Sequence, residues 1–437
     1  MAVLVDDQVI EGSAGVVNLR TGVEVTSDSL FTIQSITKVR TATLIMQLVD
    51  DGAVELDAPV RTYMPAFGTA DDRAGEKITV RHLLTHTGGF EGDIWTETTA
   101  SDDALQAFVD DCVSCAPQYA QPGEMYSYCS AGYGVLGRIV EVLRAMPYAQ
   151  AVRRYLTGPL GIDEVAFNAN EALAYRTAIG HARPYPAADQ QPLHVWAVMP
   201  PSNPAAGNQL AMSARGLIGF ARMHVSDGRA ADGTQVLSAA SAALMRDHQL
   251  DLPAAMGGRS LGWMLPNRPG IVEHGGGAIG VASTLLLVPA AGVAVAVLTN
   301  GGDAGRLVAD LIEPLIDGLT DVAPAPPLPG PAHDPVVLDP ARYIGRYQSR
   351  PTVVDVTSDD DGRLWLDMSG GNEQLTMAEL AGVTVEPKRN RLWPVGGDLF
   401  VFTDSSGAPV RAIEFLGTDA AGRARFVFEG RAVPRVD

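Results

Sequence analysis

The sequence predicts an α+β protein: one antiparallel sheet flanked by helices with an inserted helical region, followed by a small C-terminal all-β barrel. Three observations predict it. Strand-like apolar runs stand at both ends of residues 1–321, and helix-period runs fill the middle. Residues 322–331 read Val-Ala-Pro-Ala-Pro-Pro-Leu-Pro-Gly-Pro, a stiff extended linker. Beyond it come short strand candidates separated by Gly, Asp and Ser turns. The boundaries that follow are a main domain at 1–321, a Pro-rich linker at 322–334 and the barrel at 335–437. A cleft between the sheet and the helical region is where a site is expected.

Taken in order, residues 2–5 and 9–16 read as strands around the polar turn Asp6-Asp7-Gln8. Val39, Ala42, Ile45, Met46 and Val49 recur at helical spacing, and Gly52 sits where a glycine stops that helix. Residues 79–85 look helical with Thr79 as cap, and Gly88-Gly89 ends them. Residues 102–115, 131–143 and 214–224 are further helices. Strands are expected at 270–273, 283–288 and 293–299, the last two joined as a hairpin through Pro289-Ala290-Ala291-Gly292. A helix at 303–319 carries Leu307, Leu311, Leu315 and Ile316 on one side. In the tail, strands are expected at 353–356, 364–368, 375–378, 399–403, 412–416 and 424–428.

The 437 residues suffice for a large and a small domain. A formal charge of −19 argues against nucleic acid or anionic membrane surfaces as partners. Apolar runs such as residues 293–298 are far too short to span a bilayer. Cys112, Cys115 and Cys129 make no disulfide framework. No charged segment followed by an apolar run opens the sequence as written, so a cytoplasmic location is expected.

Three stretches carry chemistry. The first is Ser35-Ile36-Thr37-Lys38 at a helix start. Lys38, three residues on, lies over the same face as the Ser35 hydroxyl. A serine hydroxyl is a poor nucleophile until a base takes its proton, and a buried lysine can do so where arginine cannot. The chain otherwise prefers Arg; its lysines are Lys38, Lys77 and Lys388. The second stretch is Tyr128-Cys129-Ser130, ahead of a helical run. The third is His274-Gly275-Gly276-Gly277, whose glycines let backbone approach a ligand closely.

Together these motifs, with Val80-Arg81-His82-Leu83-Leu84-Thr85-His86-Thr87-Gly88-Gly89 and Val297-Leu298-Thr299-Asn300, resemble the serine β-lactamase and penicillin-binding-protein superfamily in its class C-like branch. That branch includes β-lactamase-like esterases, D-aminopeptidases and transacylases. The resemblance covers about residues 2–319 and implies a β-lactamase/transpeptidase-like main domain; the small barrel is expected to be lipocalin-like. It implies that Ser35 is acylated, that Lys38 shares its proton, and that Tyr128 is general base and then acid to the leaving group. The oxyanion hole would be the backbone N–H groups of Ser35 and Gly277. Ser130, His274, Gly275, Gly276, Trp95 and Trp263 would contact substrate. No cofactor and no metal are expected. Ser130 stands where the branch has asparagine, and His274 where a lysine often stands. Both departures point away from a dedicated β-lactamase, towards small ester, amide or peptide substrates.

The implied function is therefore serine acyl transfer through an acyl-enzyme, releasing the acyl group to water. One alternative passes it to an amine or alcohol acceptor. Another, of a different class, is a non-catalytic binding or sensor module on the same fold. His82 and His86 are spaced i,i+4, but without the Glu of H-E-x-x-H they read as structural. Cys112 and Cys115 form C-x-x-C without a βαβ setting, and Cys129 reads as a packing residue. Oligomeric state is not legible.

Overall fold

Strands from both ends of residues 1–321 meet in one sheet in the computed structural model, which describes residues 1–332 and 338–437. β1 (Ala2–Val5) and β2 (Gln8–Glu11) form a hairpin turned by Asp6 and Asp7, both at positive φ, a conformation aspartate tolerates. The expected second strand stops early because Gly12-Ser13-Ala14-Gly15 breaks it; Val16–Asn18 pairs separately with Val23–Glu24. Six later strands complete the sheet: β3 (Leu250–Asp251), β4 (Gly258–Arg259), β5 (Met264–Leu265), β6 (Val272–Ala278), β7 (Val281–Val288) and β8 (Val293–Thr299). The order is β3-β4-β5-β6-β7-β8-β1-β2, and all pairings are antiparallel.

Helices cover both faces of this sheet. Towards the helical region lie α1 (Thr37–Asp50), α2 (Ser130–Arg144) and α3 (Ala214–Val225); behind it lies α4 (Ala304–Leu319). The period-2 alternation of β8 decides which residue meets which layer. Ala294 and Ala296 join the core of Leu217 and Phe220, whereas Val293, Val295 and Val297 pack on Ile312 and Ile316. All of β8 is accordingly buried. α1 runs through the middle of the domain, with only Val49 and Asp50 outside the buried class. Gly52, at φ +69°, ends it, as the sequence predicts.

The C-terminal unit is all-β apart from one helix, but it is not one closed barrel. β9 (Gly345–Gln348), β10 (Thr352–Ser358), β11 (Leu364–Gly370) and β12 (Lys388–Arg391) form a four-stranded sheet. β13 (Trp393–Gly396), β14 (Leu399–Thr403), β15 (Pro409–Thr418), β16 (Ala424–Phe428) and β17 (Ala432–Pro434) form a five-stranded one. A single bridge between Tyr347 and Arg435 links the two edges. The strand expected at 375–378 is instead the middle of a helix, α5 (Asn372–Ala381). Its Leu-Thr-Met-Ala run is too short to tell strand from helix by itself; the flanking Glu and Gln favour helix, and Gly382 at φ +74° closes it.

The unit packs on the main domain in two patches. One joins Tyr126, Leu252 and Ala254 to Val401, Phe426 and Phe428. The other joins Leu193 and Val198 to Met377 and Ala381 of α5. Of the expected linker, residues 322–332 carry no regular structure; residues 333–334, and the first three of the expected barrel, lie outside the described residues.

Candidate active site

A 3₁₀ turn, Gln34–Ile36, precedes α1, and Gln34 sits at φ +48°, a strained position that bends the chain just before Ser35. Ser35 is half-buried and Lys38 fully buried. Lys38 Nζ lies 3.0 Å from Ser35 Oγ and donates to the Ala206 carbonyl, also at 3.0 Å. That carbonyl is presented by the turn Pro204–Ala206. Gly207 must follow it at φ +103°, because a Cβ there would stand 1.9 Å from the Gln34 carbonyl oxygen.

Tyr128 stands beside the Ser35–Lys38 pair, with Lys38 Nζ 4.9 Å from its ring centre. Tyr128 is held from both units. His86 stacks on its ring at 4.4 Å, and its backbone N–H donates to the Gly430 carbonyl at 3.2 Å. Burial lowers the Lys38 pKa to about 7, opposed by Asp93 and helped by Arg431 and Arg259. Burial raises Tyr128, opposed by Arg259, the Ser35 hydrogen bond and Arg431.

These residues open on a cavity of about 150 Å³. Of the predicted site residues, Ser35, Lys38, Ser130, Gly277 and Trp95 line it. A side chain at Gly277 would meet nothing, so that backbone faces open space. Gly276 serves otherwise: a Cβ there would stand 2.3 Å from the Ile33 carbonyl oxygen, so it lets β6 approach the Ser35 turn rather than a ligand. Gly275, Tyr128 and His274 are not among the lining residues; His274 is buried behind the wall. Trp263 is not brought to the cavity either. It is fully buried, edge-on to His224 at 5.2 Å.

Several residues of the site carry no motif. Asp93, buried, pairs with Arg431 of the C-terminal unit, and Arg431 lies 5.0 Å from the Tyr128 ring. Gln374 and Met377 of α5 also line the cavity, as do Asn208, Val198 and Ile279. Arg259 reaches His86 Nε2 at 2.7 Å. Only the buried character of Glu91-Gly92-Asp93 within a small-residue stretch could have flagged Asp93; nothing local flags the two arginines.

His82 Nδ1 accepts the Thr79 N–H in a capping box, while His86 belongs to the Tyr128 stack. Among the described residues no group of three or more His, Cys, Asp or Glu side chains gathers as metal ligands. Cys129 Sγ caps α2, accepting the Gly132 N–H at 3.3 Å, and burial pushes its thiol up to about 12, far from nucleophilic.

A serine at a helix start with an amine on its hydroxyl, a phenol ring beside that amine, and a glycine strand across the cleft form one constellation. The chain belongs to the Beta-lactamase family, matched over residues 1–313. It is 41% identical to Penicillin-binding protein 4 of Amycolatopsis lactamdurans over 354 residues, 80% of this chain and 92% of that protein. It is 30% identical to esterase EstB of Burkholderia gladioli over 185 residues, 39% of this chain and 47% of that one. Among solved structures, SurE superposes with a TM-score of 0.76 at 28% identity, covering 100% of this chain and 94% of SurE. The octameric penicillin-binding protein homologue from Pyrococcus abyssi shares the fold, at TM-score 0.63 and 23% identity over 96% of this chain and 92% of that one. The family is one of serine hydrolases that includes penicillin-binding proteins and esterases. Among the described residues no helix is long and apolar enough to cross a membrane.

Proposed function

We propose that this protein is a serine acyl-transfer enzyme that forms an acyl-Ser35 intermediate and hydrolyses esters, amides or peptides of small molecules. The observation that carries the reading is the 3.0 Å contact between Lys38 Nζ and Ser35 Oγ, with the Tyr128 ring 4.9 Å from the same amine. With Lys38 near 7 and Tyr128 raised, the roles divide differently from the motif expectation: the amine is the better proton acceptor and the phenol the better donor. Lys38 takes the Ser35 proton as Oγ bonds to the carbonyl carbon. The oxyanion falls to the Ser35 and Gly277 N–H groups, each worth about 3 kcal/mol in such sites. Tyr128 gives its proton to the departing oxygen or nitrogen and is re-protonated from Lys38. Water then reverses the sequence and frees the acid.

The cavity favours an apolar acyl group of modest size, since Trp95, Val198, Ile279 and Met377 wall it. Burial and the neighbouring Arg259 hold His274 well below its ordinary pKa, so it is neutral, and Arg431 is already paired with Asp93. Short neutral esters or amides should therefore outperform penicillins and cephalosporins, which carry a carboxylate. The solved complex of SurE with D-Leu, at 27% identity and TM-score 0.74 over 100% of this chain and 94% of that one, supports a D-amino acid residue among the candidate ligands. A second reading, transfer to an amine or alcohol, is favoured by the cover that α5 places over the cavity, which restricts water. The test is intact mass after exposure to esters, D-amino acid amides and β-lactams, with and without an added amine. An adduct lost in Ser35→Ala supports the mechanism. A native protein that is never acylated and turns over none of them overturns it.

A further inference from the structure

Arg259 is the most unusual charge in the molecule. It is fully buried on β4, and among the described residues no carboxylate pairs with it. Its Nε and one terminal nitrogen have no hydrogen-bond partner. The other terminal nitrogen donates to His86 Nε2 at 2.7 Å and approaches His274 Nε2 at 3.4 Å. A guanidinium never accepts, so an Nε2 that takes its hydrogen bond must carry a lone pair. His274 then holds its proton on Nδ1 and donates it to the Gly275 carbonyl at 2.7 Å, whereas His86 Nδ1 faces both the Cys129 N–H at 3.0 Å and the Cys129 carbonyl at 3.2 Å. Two neutral imidazoles thus clamp one permanent cation. The guanidinium carbon lies 5.7 Å from the Tyr128 ring.

We propose that Arg259, reaching the site from β4, is the fixed cation that the His274-Gly275-Gly276 stretch itself lacks, and that it positions Tyr128 and sets the charge balance of the Ser35–Lys38–Tyr128 group. It is a positioning residue: it acts through His86, which stacks on Tyr128, and through the field it lays on Tyr128 and Lys38. The charge sits one strand-pair away from His274 in space, since β4, β5 and β6 are neighbours. The other groups around Tyr128 do not substitute for it. Lys38 must lose its charge to act as base, Arg431 is neutralised by Asp93, and Tyr126 and Tyr133 are buried phenols. Arg259 opposes both protonation of Lys38 and retention of the Tyr128 proton, so removing it should move both titrations upward.

The inference rests on the acyl-Ser35 reading, and the experiment separates the two. Measure kcat/KM on a neutral ester from about pH 5 to 10 in the native protein, Arg259→Met, Arg259→Lys, His274→Lys and the double variant Arg259→Met/His274→Lys. Arg259→Met should lose on the order of 100-fold at neutral pH, with the acid limb displaced upward. Arg259→Lys should keep the position of the limb. The double variant, which returns one cation from the other side, should recover about tenfold over Arg259→Met and move the limb back. A merely structural role would lower the rate without moving the limb, and lysine at 274 would not rescue it. Equal activity of Arg259→Met and native, or of the single and double variants, overturns the inference while leaving acylation intact. Should the methionine variants fail to fold, the lysine variants decide: His274→Lys alone adds a second cation and should cost activity and lower the acid limb, and a gain in turnover overturns the proposal. A native protein that never acylates defeats the underlying reading instead.

Discussion

The two walls of the cleft were built by different rules. The wall from the main domain holds the groups proposed to react on rigid elements: Ser35 and Lys38 at the head of α1, Gly277 on β6, Ser130 at the head of α2. The wall from the C-terminal unit holds no reacting group, yet Gln374, Met377 and Arg431 line the same cavity. The second wall meets the first through apolar contacts and through ion pairs that include Asp93 with Arg431 and Glu124 with Arg425. The difference teaches that chemistry and enclosure are separable here. A short motif can fix the groups proposed to make bonds, while Gln374, Met377 and Arg431 of the C-terminal unit complete a chamber that the main domain otherwise walls.

The comparison breaks first at Ser35. Ser35→Ala should abolish acyl-adduct formation and lower turnover at least about 1,000-fold, with unchanged circular dichroism. Retained turnover would mean that the first wall is not where the bond is made.

The pH profile sharpens the same wall. Burial lowers the Lys38 pKa to about 7, and in the proposed mechanism its neutral form accepts the Ser35 proton. As pH falls below that value Lys38 protonates, so kcat/KM should fall about tenfold per unit, roughly 100-fold by pH 5. Lys38→Arg, permanently charged, should remain inactive at every pH. An acid limb set near 4, as for a carboxylate, would take the proton-accepting role away from Lys38.

Arg431→Met tests whether the second wall touches chemistry at all. It removes a cation lying 5.0 Å from the Tyr128 ring and leaves the buried Asp93 carboxylate unpaired. An unpaired buried charge is costly, so the melting temperature should drop, and kcat/KM should fall about 10- to 100-fold. Asp93→Asn/Arg431→Met, with no orphaned charge, should recover the melting temperature but not the rate. Recovery of both would reduce Arg431 to a fastener between the units.

Legibility in the sequence follows the same division. Lys38 could be set beside Ser35 because three residues along a helix put it over the hydroxyl, whereas Tyr128 was legible only through the resemblance of its motif. The sheet could be read because β7 and β8 are apolar runs bounded by a Pro-Gly turn. α5 could not, since the short Leu-Thr-Met-Ala run suits either period, and its packing on Leu193 and Val198 was invisible. Trp263 and Trp95 looked alike in sequence, yet one fills a core and the other lines the cavity, because that depends on contacts far along the chain. Arg259 and Arg431 were missed for the same reason: each acts across long sequence separations, and arginine is the common cation of this chain.

The smallest expected effect is at Met377. Its side chain comes from α5, faces the cavity, and packs among Val198, Trp95 and Ile279. Met377→Ala removes a flexible apolar group from a cavity of about 150 Å³, so the chamber should widen without loss of any reacting group. The cost in stability should be on the order of 2 kcal/mol, as for truncating a buried methionine. For the smallest esters KM should rise a few-fold with kcat little changed, because ground state and transition state lose the same contact. For esters with a longer apolar acyl chain the preference should reverse, with kcat/KM rising relative to native. A homologous series of acyl esters, compared between the two proteins, reads this directly. If the optimum chain length does not move, the second wall encloses the cleft without selecting what enters it, and the division between chemistry and enclosure would have to be redrawn with specificity on the main-domain side.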